Sequence, residues 1–202
     1  MKARILSAAA ALLLFLSIGA SAQNAPMWAY NYFSITPESD DLCRLELLHY
    51  GFDGKIHRGE MVCNKAIAKD LIFIFKRLLE AGYQIERVET IDKYDGDDER
   101  SMAANNSSCY NYRTISGAGR LSKHALGLAV DINPLYNPYV KTRDGRTVIS
   151  PSGAEEYADR SRNFPHKIDR NDLCYKLFRS RGFRWGGDWR TMKDYQHFEK
   201  TE

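Results

Sequence analysis

The sequence lacks several signatures that would identify a hydrolase at once. It contains no HExxH motif, no GxSxG motif and no two cysteines separated by two to four residues. These absences exclude a thermolysin-like zinc site, a serine nucleophile elbow and a zinc site of closely spaced cysteines, respectively. Any catalytic chemistry must therefore rest on other side chains.

The chain also lacks a large excess of charge of either sign. Lysine and arginine number 29 and aspartate and glutamate 26, and removal of Lys2 and Arg4 with a leader would leave 27 against 26. Binding of nucleic acid by bulk electrostatics needs a strong basic excess and is disfavoured. Hydrophobic residues make up 44% of the chain and aromatic residues 12%, which argues against disorder and is enough for a core.

Long apolar runs are scarce. The run from Ala8 to Ile18 is too short to span a bilayer, for which about 20 residues are needed. Two basic residues precede it and Ala20-Ser21-Ala22 follows it, which is the pattern of a signal peptide cleaved after residue 22. We therefore expect a signal peptide over 1–22 and a single domain over 23–202. The protein should be exported, periplasmic or secreted, without a transmembrane segment in the mature chain, and monomeric.

Four cysteines lie in the mature part, and an oxidising compartment would allow two disulfides in three possible pairings. Phe52-Asp53-Gly54 is a hairpin turn signal that brings Cys43 and Cys63 nearly opposite each other. Antiparallel neighbours are close enough for a disulfide, so Cys43–Cys63 is one expected bridge. By elimination Cys109 would then pair with Cys174.

Hydrophobic periodicity predicts a mixed α+β fold, with a small, mostly antiparallel sheet and flanking helices. The expected helices and strands are a hairpin of 42–50 and 55–62, a helix over 64–81, strands over 84–91 and 126–132, a hairpin over 139–149, a helix over 169–181 that begins at Asp169, and short terminal strands over 183–189 and 195–198. The polar stretch 92–108 is predicted to be a loop, and a loop of that length in a compact domain is usually functional.

Two of the five histidines lie near carboxylates. His124 enters the apolar strand that ends near Asp131, and His197 follows Asp194 by three residues. Alone, His124 would be a structural histidine and Asp131 the partner of a salt bridge or turn. Together, however, His124, Asp131 and His197 are suitable ligands for Zn²⁺, with a fourth position left for a water whose pKa the metal lowers towards about 7.

Two further residues would complete a catalytic site. Asp194 could take and return a proton as an acid/base, provided that a bend lets it reach the same cavity as His197, because residues three apart in a strand face opposite sides. Arg113 could hold a substrate carboxylate or stabilise an oxyanion, although an ordinary surface arginine is the simpler interpretation.

These residues carry a resemblance to a known family. SKHALGLAVD resembles the SxHxxGxAxD motif of the zinc-dependent D-alanyl-D-alanine carboxypeptidases, and DYQHFE resembles their second block. Further similarity in YDGDDERSM, NNSSCYNYR, DINPLYNPY and WGGDW extends the resemblance over about residues 43–200. The second block of carboxypeptidase members usually reads Glu-x-x-His, whereas the L-alanyl-D-glutamate endopeptidase branch has Asp-x-x-His, as here.

The resemblance implies an exported zinc metallopeptidase that hydrolyses peptidoglycan stem peptides, with L-Ala-D-Glu-type endopeptidase activity favoured. His124, Asp131 and His197 would bind Zn²⁺, Asp194 would be catalytic and Arg113 would bind substrate, in a cleft walled by 92–108 and 135–165. The alternatives are a D-Ala-D-Ala carboxypeptidase and a non-catalytic zinc-binding or ligand-recognition module with a Hedgehog-like fold.

Overall fold

The computed structural model describes residues 26, 29, 31–114 and 121–201. The predicted signal peptide over 1–22 lies outside the described residues. Within them the chain folds into helices and small, mainly antiparallel sheets, which confirms the predicted α+β class. The described part contains four small sheets where one was expected. None of its helices is both long and apolar enough to cross a membrane.

The amino-terminal part is an antiparallel sheet covered by the longest described helix. The strands are β1 (Ser34–Pro37), β2 (Leu42–Tyr50) and β3 (Ile56–Asn64), and the helix is α1 (Lys65–Glu80). Asn64 caps α1 because its side chain accepts a hydrogen bond from the amide of Ala66 at 2.9 Å. Gly82, at φ +65°, follows its end. The predicted hairpin and helix are therefore confirmed.

The segment after α1 differs from the prediction. The expected strand over 84–91 is reduced to β4 (Arg87–Val88), which pairs in parallel with β5 (Asn106–Ser107). The residues on either side of β4 bond to asparagine side chains instead of a strand. The backbone amide of Glu86 donates to the side-chain oxygen of Asn133, and the backbone amide of Glu89 donates to that of Asn106. The predicted loop 92–108 contains a 3₁₀ turn and the short helix α2 (Asp98–Ala103), which is capped by the Asp97 carboxylate.

The carboxyl-terminal part supplies two more antiparallel sheets and a helix. Its elements are β6 (Ala129–Asp131), β7 (Tyr139–Arg143), β8 (Arg146–Ser150), α3 (Leu173–Ser180), β9 (Arg184–Trp185), β10 (Lys193–Asp194) and β11 (His197–Glu199). The sheets have the orders β6-β11-β9 and β10-β7-β8. The carboxylate of Asp172 caps α3 by accepting from the amide of Cys174 at 2.8 Å, so the predicted cap at Asp169 is wrong.

The cysteines are buried and free, so the two expected disulfides are not found. Cys43 and Cys63 do lie directly opposite each other in β2 and β3, but their sulfur atoms are 3.8 Å apart, whereas a disulfide needs about 2.05 Å. The Cys109 thiol donates to the carbonyl of Gly127, and the Cys174 thiol interacts with the side chains of Tyr83 and Asp172. Pairing by elimination fails because these thiols are accommodated in the core as small apolar groups.

Candidate metal and catalytic site

A tight turn positions the first histidine of the site. Gly127 has φ +66°, and its amide donates to the carbonyl of His124 at 2.9 Å. A β-carbon on Gly127 would lie 2.6 Å from the backbone nitrogen of Asn64, whose amide donates to the Gly127 carbonyl. Only glycine fits this position. The turn thereby fixes His124 against the junction of β3 and α1.

The imidazole of His124 is oriented by the chain beside it. Its Nδ1 donates to the carbonyl oxygen of Cys109 at 2.7 Å, because a carbonyl can only accept. The proton therefore resides on Nδ1, and the lone pair of Nε2 points to the other side of the ring. Second-sphere bonds of this kind commonly fix the tautomer of a metal-binding histidine.

Strand pairing brings the other two side chains to the same point. His197 of β11 lies directly opposite Asp131 of β6, and Nδ1 of His197 is 3.1 Å from Oδ1 of Asp131. Nε2 of His124 lies 3.1 Å from Nδ1 of His197 and 3.3 Å from Oδ2 of Asp131. The three side chains are between 5% and 8% exposed. The structure therefore brings together all three residues predicted as ligands.

The geometry and chemistry of this cluster fit a divalent cation. Ligand atoms bound tetrahedrally to zinc at 2.0–2.2 Å are about 3.4 Å apart, close to the 3.1–3.3 Å separations observed here. Two imidazole nitrogens and a carboxylate oxygen converge, and such a set binds zinc well. These three residues can hold a metal ion.

The pKa shifts within the cluster also reflect this convergence. Burial alone would lower the pKa of His197, but hydrogen bonds to Asp131 and Glu199 outweigh it and raise that pKa to about 10. Burial also opposes ionisation of Asp131, yet the two histidines hold the pKa of its carboxyl well below the usual range. The site therefore favours an anionic carboxylate that is balanced by positive charge.

Asp194 lies beside the cluster through a bend in the chain. β10 pairs with β7, whereas β11 pairs with β6 and β9, and residues 195 and 196 form the bend between them. The sequence requires such a bend, because without it Asp194 and His197 would face opposite sides of one strand. Oδ1 of Asp194 is buried and has no hydrogen-bond partner within the described residues. Burial, opposed by the charge of His197, raises the pKa of Asp194 to about 6.

Arg113 lies in a segment that is hydrogen-bonded to the turn of His124. Its carbonyl accepts from the amide of Ser122, and Asn111, two residues earlier, donates its amide to the carbonyl of His124. The Arg113 side chain is 39% exposed, and its Nη2 lies 3.1 Å from the carboxylate of Asp98 in α2. Arg113 is thus attached to the segment beside His124, and the structure gives it an acidic partner.

Three residues of this region were missed by the sequence analysis. Asp98 contacts Arg113, Gly186 contacts Asp194, and Glu199 lies 3.4 Å from Nε2 of His197. The i, i+2 spacing of His197 and Glu199 was the one sequence signal available, because alternate residues of a strand share a face. The other two contacts join different structural elements, so no local spacing pattern signals them.

Comparison with known proteins bears on the same segment. Residues 116–200 match the family model described as D-alanyl-D-alanine carboxypeptidase. The match includes the three cluster residues and Asp194, whereas Arg113 lies before it. No solved structure matches the chain significantly. Residues 116–200, which include the converging histidines and aspartate, are therefore similar to the D-alanyl-D-alanine carboxypeptidase family.

Proposed function

We propose that the chain is an exported zinc peptidase, periplasmic or secreted, that hydrolyses peptide bonds in peptidoglycan stem peptides. The observation that carries this proposal is the juxtaposition of the three converging ligand atoms with the unpartnered Oδ1 of Asp194. A bound Zn²⁺ would supply Lewis acidity and a water of lowered pKa. A site with three protein ligands leaves a position open for chemistry.

The residues of the site would have three different roles. His124, Asp131 and His197 would hold the metal, and the partly buried Asp194 would take a proton and return it to the leaving amine. A pKa near 6 suits this role, because a general base works best when its pKa lies near the working pH. Arg113 would bind a free carboxylate of the stem peptide, which charge-assisted hydrogen bonds favour.

We favour cleavage of an L-Ala-D-Glu-type bond over the carboxypeptidase reaction. The acid at position 194 is an aspartate, and Asp-x-x-His is the form typical of the endopeptidase branch. The matched family model bears the name of the carboxypeptidase, so removal of a terminal D-alanine is the second candidate. The two reactions release products of different mass from the same substrate.

A digest of purified peptidoglycan followed by mass spectrometry tests the proposal. Zinc-loaded mature protein, chelator-treated protein and the Asp194→Ala variant are compared with Asp40→Ala, a control for loss of an exposed carboxylate between β1 and β2. We expect stem fragments from the zinc-loaded protein and Asp40→Ala alone, with zinc still bound by Asp194→Ala. Zinc bound without any fragments would favour the non-catalytic binding module.

A further inference from the structure

The second ring nitrogen of His197 faces a carboxylate. Nδ1 of His197 points into the metal cluster, and Nε2, on the other side of the ring, lies 3.4 Å from Oε2 of Glu199. The two residues are alternate positions of β11, so their side chains are on one face of the strand. The His197 ring also lies against Trp189, with centroids 5.2 Å apart. The ring is therefore contacted on several sides.

Glu199 is itself held in place by the neighbouring strand. It lies opposite Arg184 in the pairing of β11 with β9, and Nη2 of Arg184 donates to Oε1 of Glu199 at 2.7 Å. The Glu199 side chain is only 13% exposed. Each of its oxygens thus has a different partner, and the carboxylate joins the histidine of the cluster to an arginine outside it.

We propose that Glu199 is a positioning residue for the metal site. Its carboxylate accepts the Nε2–H hydrogen bond of His197, which keeps the proton on Nε2 and leaves the Nδ1 lone pair for the metal. Arg184 keeps the carboxylate in the orientation that this bond needs. His124 is arranged in the same way with the opposite tautomer, because Cys109 accepts from its Nδ1. Both histidines would then present a lone pair to the same point.

This inference rests on the proposed metal site and concerns how tightly that site binds. Outer-sphere partners of metal-binding histidines typically contribute a factor of about 10–100 to metal affinity. Without Glu199 the imidazole can also protonate at Nδ1, and that tautomer offers no lone pair to the cluster. The metal would then have to displace a proton or select the minor tautomer, which lowers its apparent affinity.

The test measures Zn²⁺ affinity by competition with a chromogenic chelator, on the mature chain prepared metal-free. We expect Glu199→Ala to bind Zn²⁺ about 10- to 100-fold more weakly than the wild type. Glu199→Gln keeps a side-chain oxygen that can accept from Nε2–H, so it should recover part of the affinity. The matched control is Glu60→Ala, which removes the ion pair between Glu60 and Arg44 in the amino-terminal sheet.

A second readout separates positioning from a general loss of structure. Nitrogen NMR of the His197 ring in the Zn²⁺-loaded protein should report a proton on Nε2 in the wild type, a mixture of protonation sites in Glu199→Ala and a smaller change in Glu199→Gln. Wild-type Zn²⁺ affinity in Glu199→Ala would overturn the inference, as would an unchanged tautomer. If Glu199→Ala does not fold, the affinity and tautomer of Glu199→Gln decide in the same way.

The inference about Glu199 and the proposed peptidase function can fail independently of each other. Should the wild type bind Zn²⁺ through His124 and His197 but release no stem fragments, the peptidase proposal fails while the role of Glu199 is still measured by affinity. Should His124→Ala bind Zn²⁺ as tightly as the wild type, the metal site itself is misassigned and the inference about Glu199 falls with it.

Discussion

A β-carbon on Gly186 would lie 2.5 Å from the carbonyl oxygen of Asp194 and 2.7 Å from its Cβ. Real side chains do not approach backbone atoms so closely, so the main chain of the 3₁₀ turn Gly186–Asp188 contacts the proposed acid/base directly. The side chain of Lys193 in β10 donates to the carbonyl of Gly187 in the same turn, and Trp185, just before the turn, donates to the carbonyl of Tyr195, just after β10. The absence of a side chain at position 186 thus sets where Asp194 lies.

Gly186→Ala should therefore impair catalysis more than it impairs metal binding. The added methyl group must displace Asp194 by a few tenths of an ångström to about one ångström, and misplacement of a catalytic group by about 1 Å can reduce the rate about 100-fold. We expect kcat on stem peptides to fall by about that factor, while Zn²⁺ affinity changes less than threefold. Steady-state kinetics and chelator competition measure the two quantities.

Thr191→Ala is the control for this substitution, since Thr191 is exposed and lies in the same loop. It should leave both quantities unchanged. Equal losses of Zn²⁺ affinity and kcat in Gly186→Ala would mean that the turn supports the ligands rather than the acid/base.

Asp98 should act on substrate binding through Arg113. The carboxylate of Asp98 accepts from the side chain of Asn111 and lies 3.1 Å from the guanidinium of Arg113. If Arg113 binds a substrate carboxylate, Arg113→Ala should raise KM about tenfold for a stem peptide and should not change KM for its amidated analogue. Asp98→Asn should raise KM by a smaller factor, and only when Arg113 is present.

A double-mutant cycle with the two substrates measures this coupling. Arg100→Ala is the control, because Arg100 is in the same helix and forms an exposed ion pair with Asp95. Additive effects of Asp98→Asn and Arg113→Ala would show that Asp98 does not work through the guanidinium.

Local sequence signals predicted the first hairpin and the long helix, and they singled out three side chains that the structure brings together. The Asn64 cap and the periodic apolar face fixed the long helix, and the Asp53-Gly54 turn fixed the register that sets Cys43 against Cys63. The cluster residues were recognised because two short motifs each carry a histidine and an acid. Such signals lie within a few residues of one another, so they can be recognised without knowledge of tertiary contacts.

Contacts between distant segments could not be predicted in this way. The expected strand 84–91 is shortened because Asn133, more than 40 residues away, takes the amide of Glu86. Nothing in WGGDW indicates that its first glycine touches Asp194. Asp169 and Asp172 each accept from an amide two residues ahead, so local sequence does not decide which of them caps α3, whereas Tyr83, from a distant part of the sequence, donates to Asp172 alone. These outcomes depend on tertiary packing, which overrides local preference.

The partly buried carboxylate of Asp172 should make the protein less stable as the pH rises. Burial, opposed by hydrogen bonds from Cys174 and Tyr175, raises the pKa of this helix cap to about 6 from 3.8. Because the folded pKa lies above the unfolded one, the contribution of Asp172 to stability is fully present below about pH 4 and is lost as the pH rises through about 6. The ionised cap is therefore unfavourable at neutral pH.

Asp172→Asn keeps an oxygen that can accept from the amide of Cys174 but cannot ionise. We expect its free energy of unfolding, relative to the wild type, to increase by about 1–2 kcal/mol between about pH 4 and about pH 8, less than the full shift implies because the side chain is partly exposed. Urea unfolding of both proteins across this range measures the difference. Asp159→Asn is the control for sign: a hydrogen bond from Ser161 lowers the pKa of Asp159, so its relative stability should decrease as the pH rises. A difference for Asp172→Asn that is flat with pH would contradict the raised pKa.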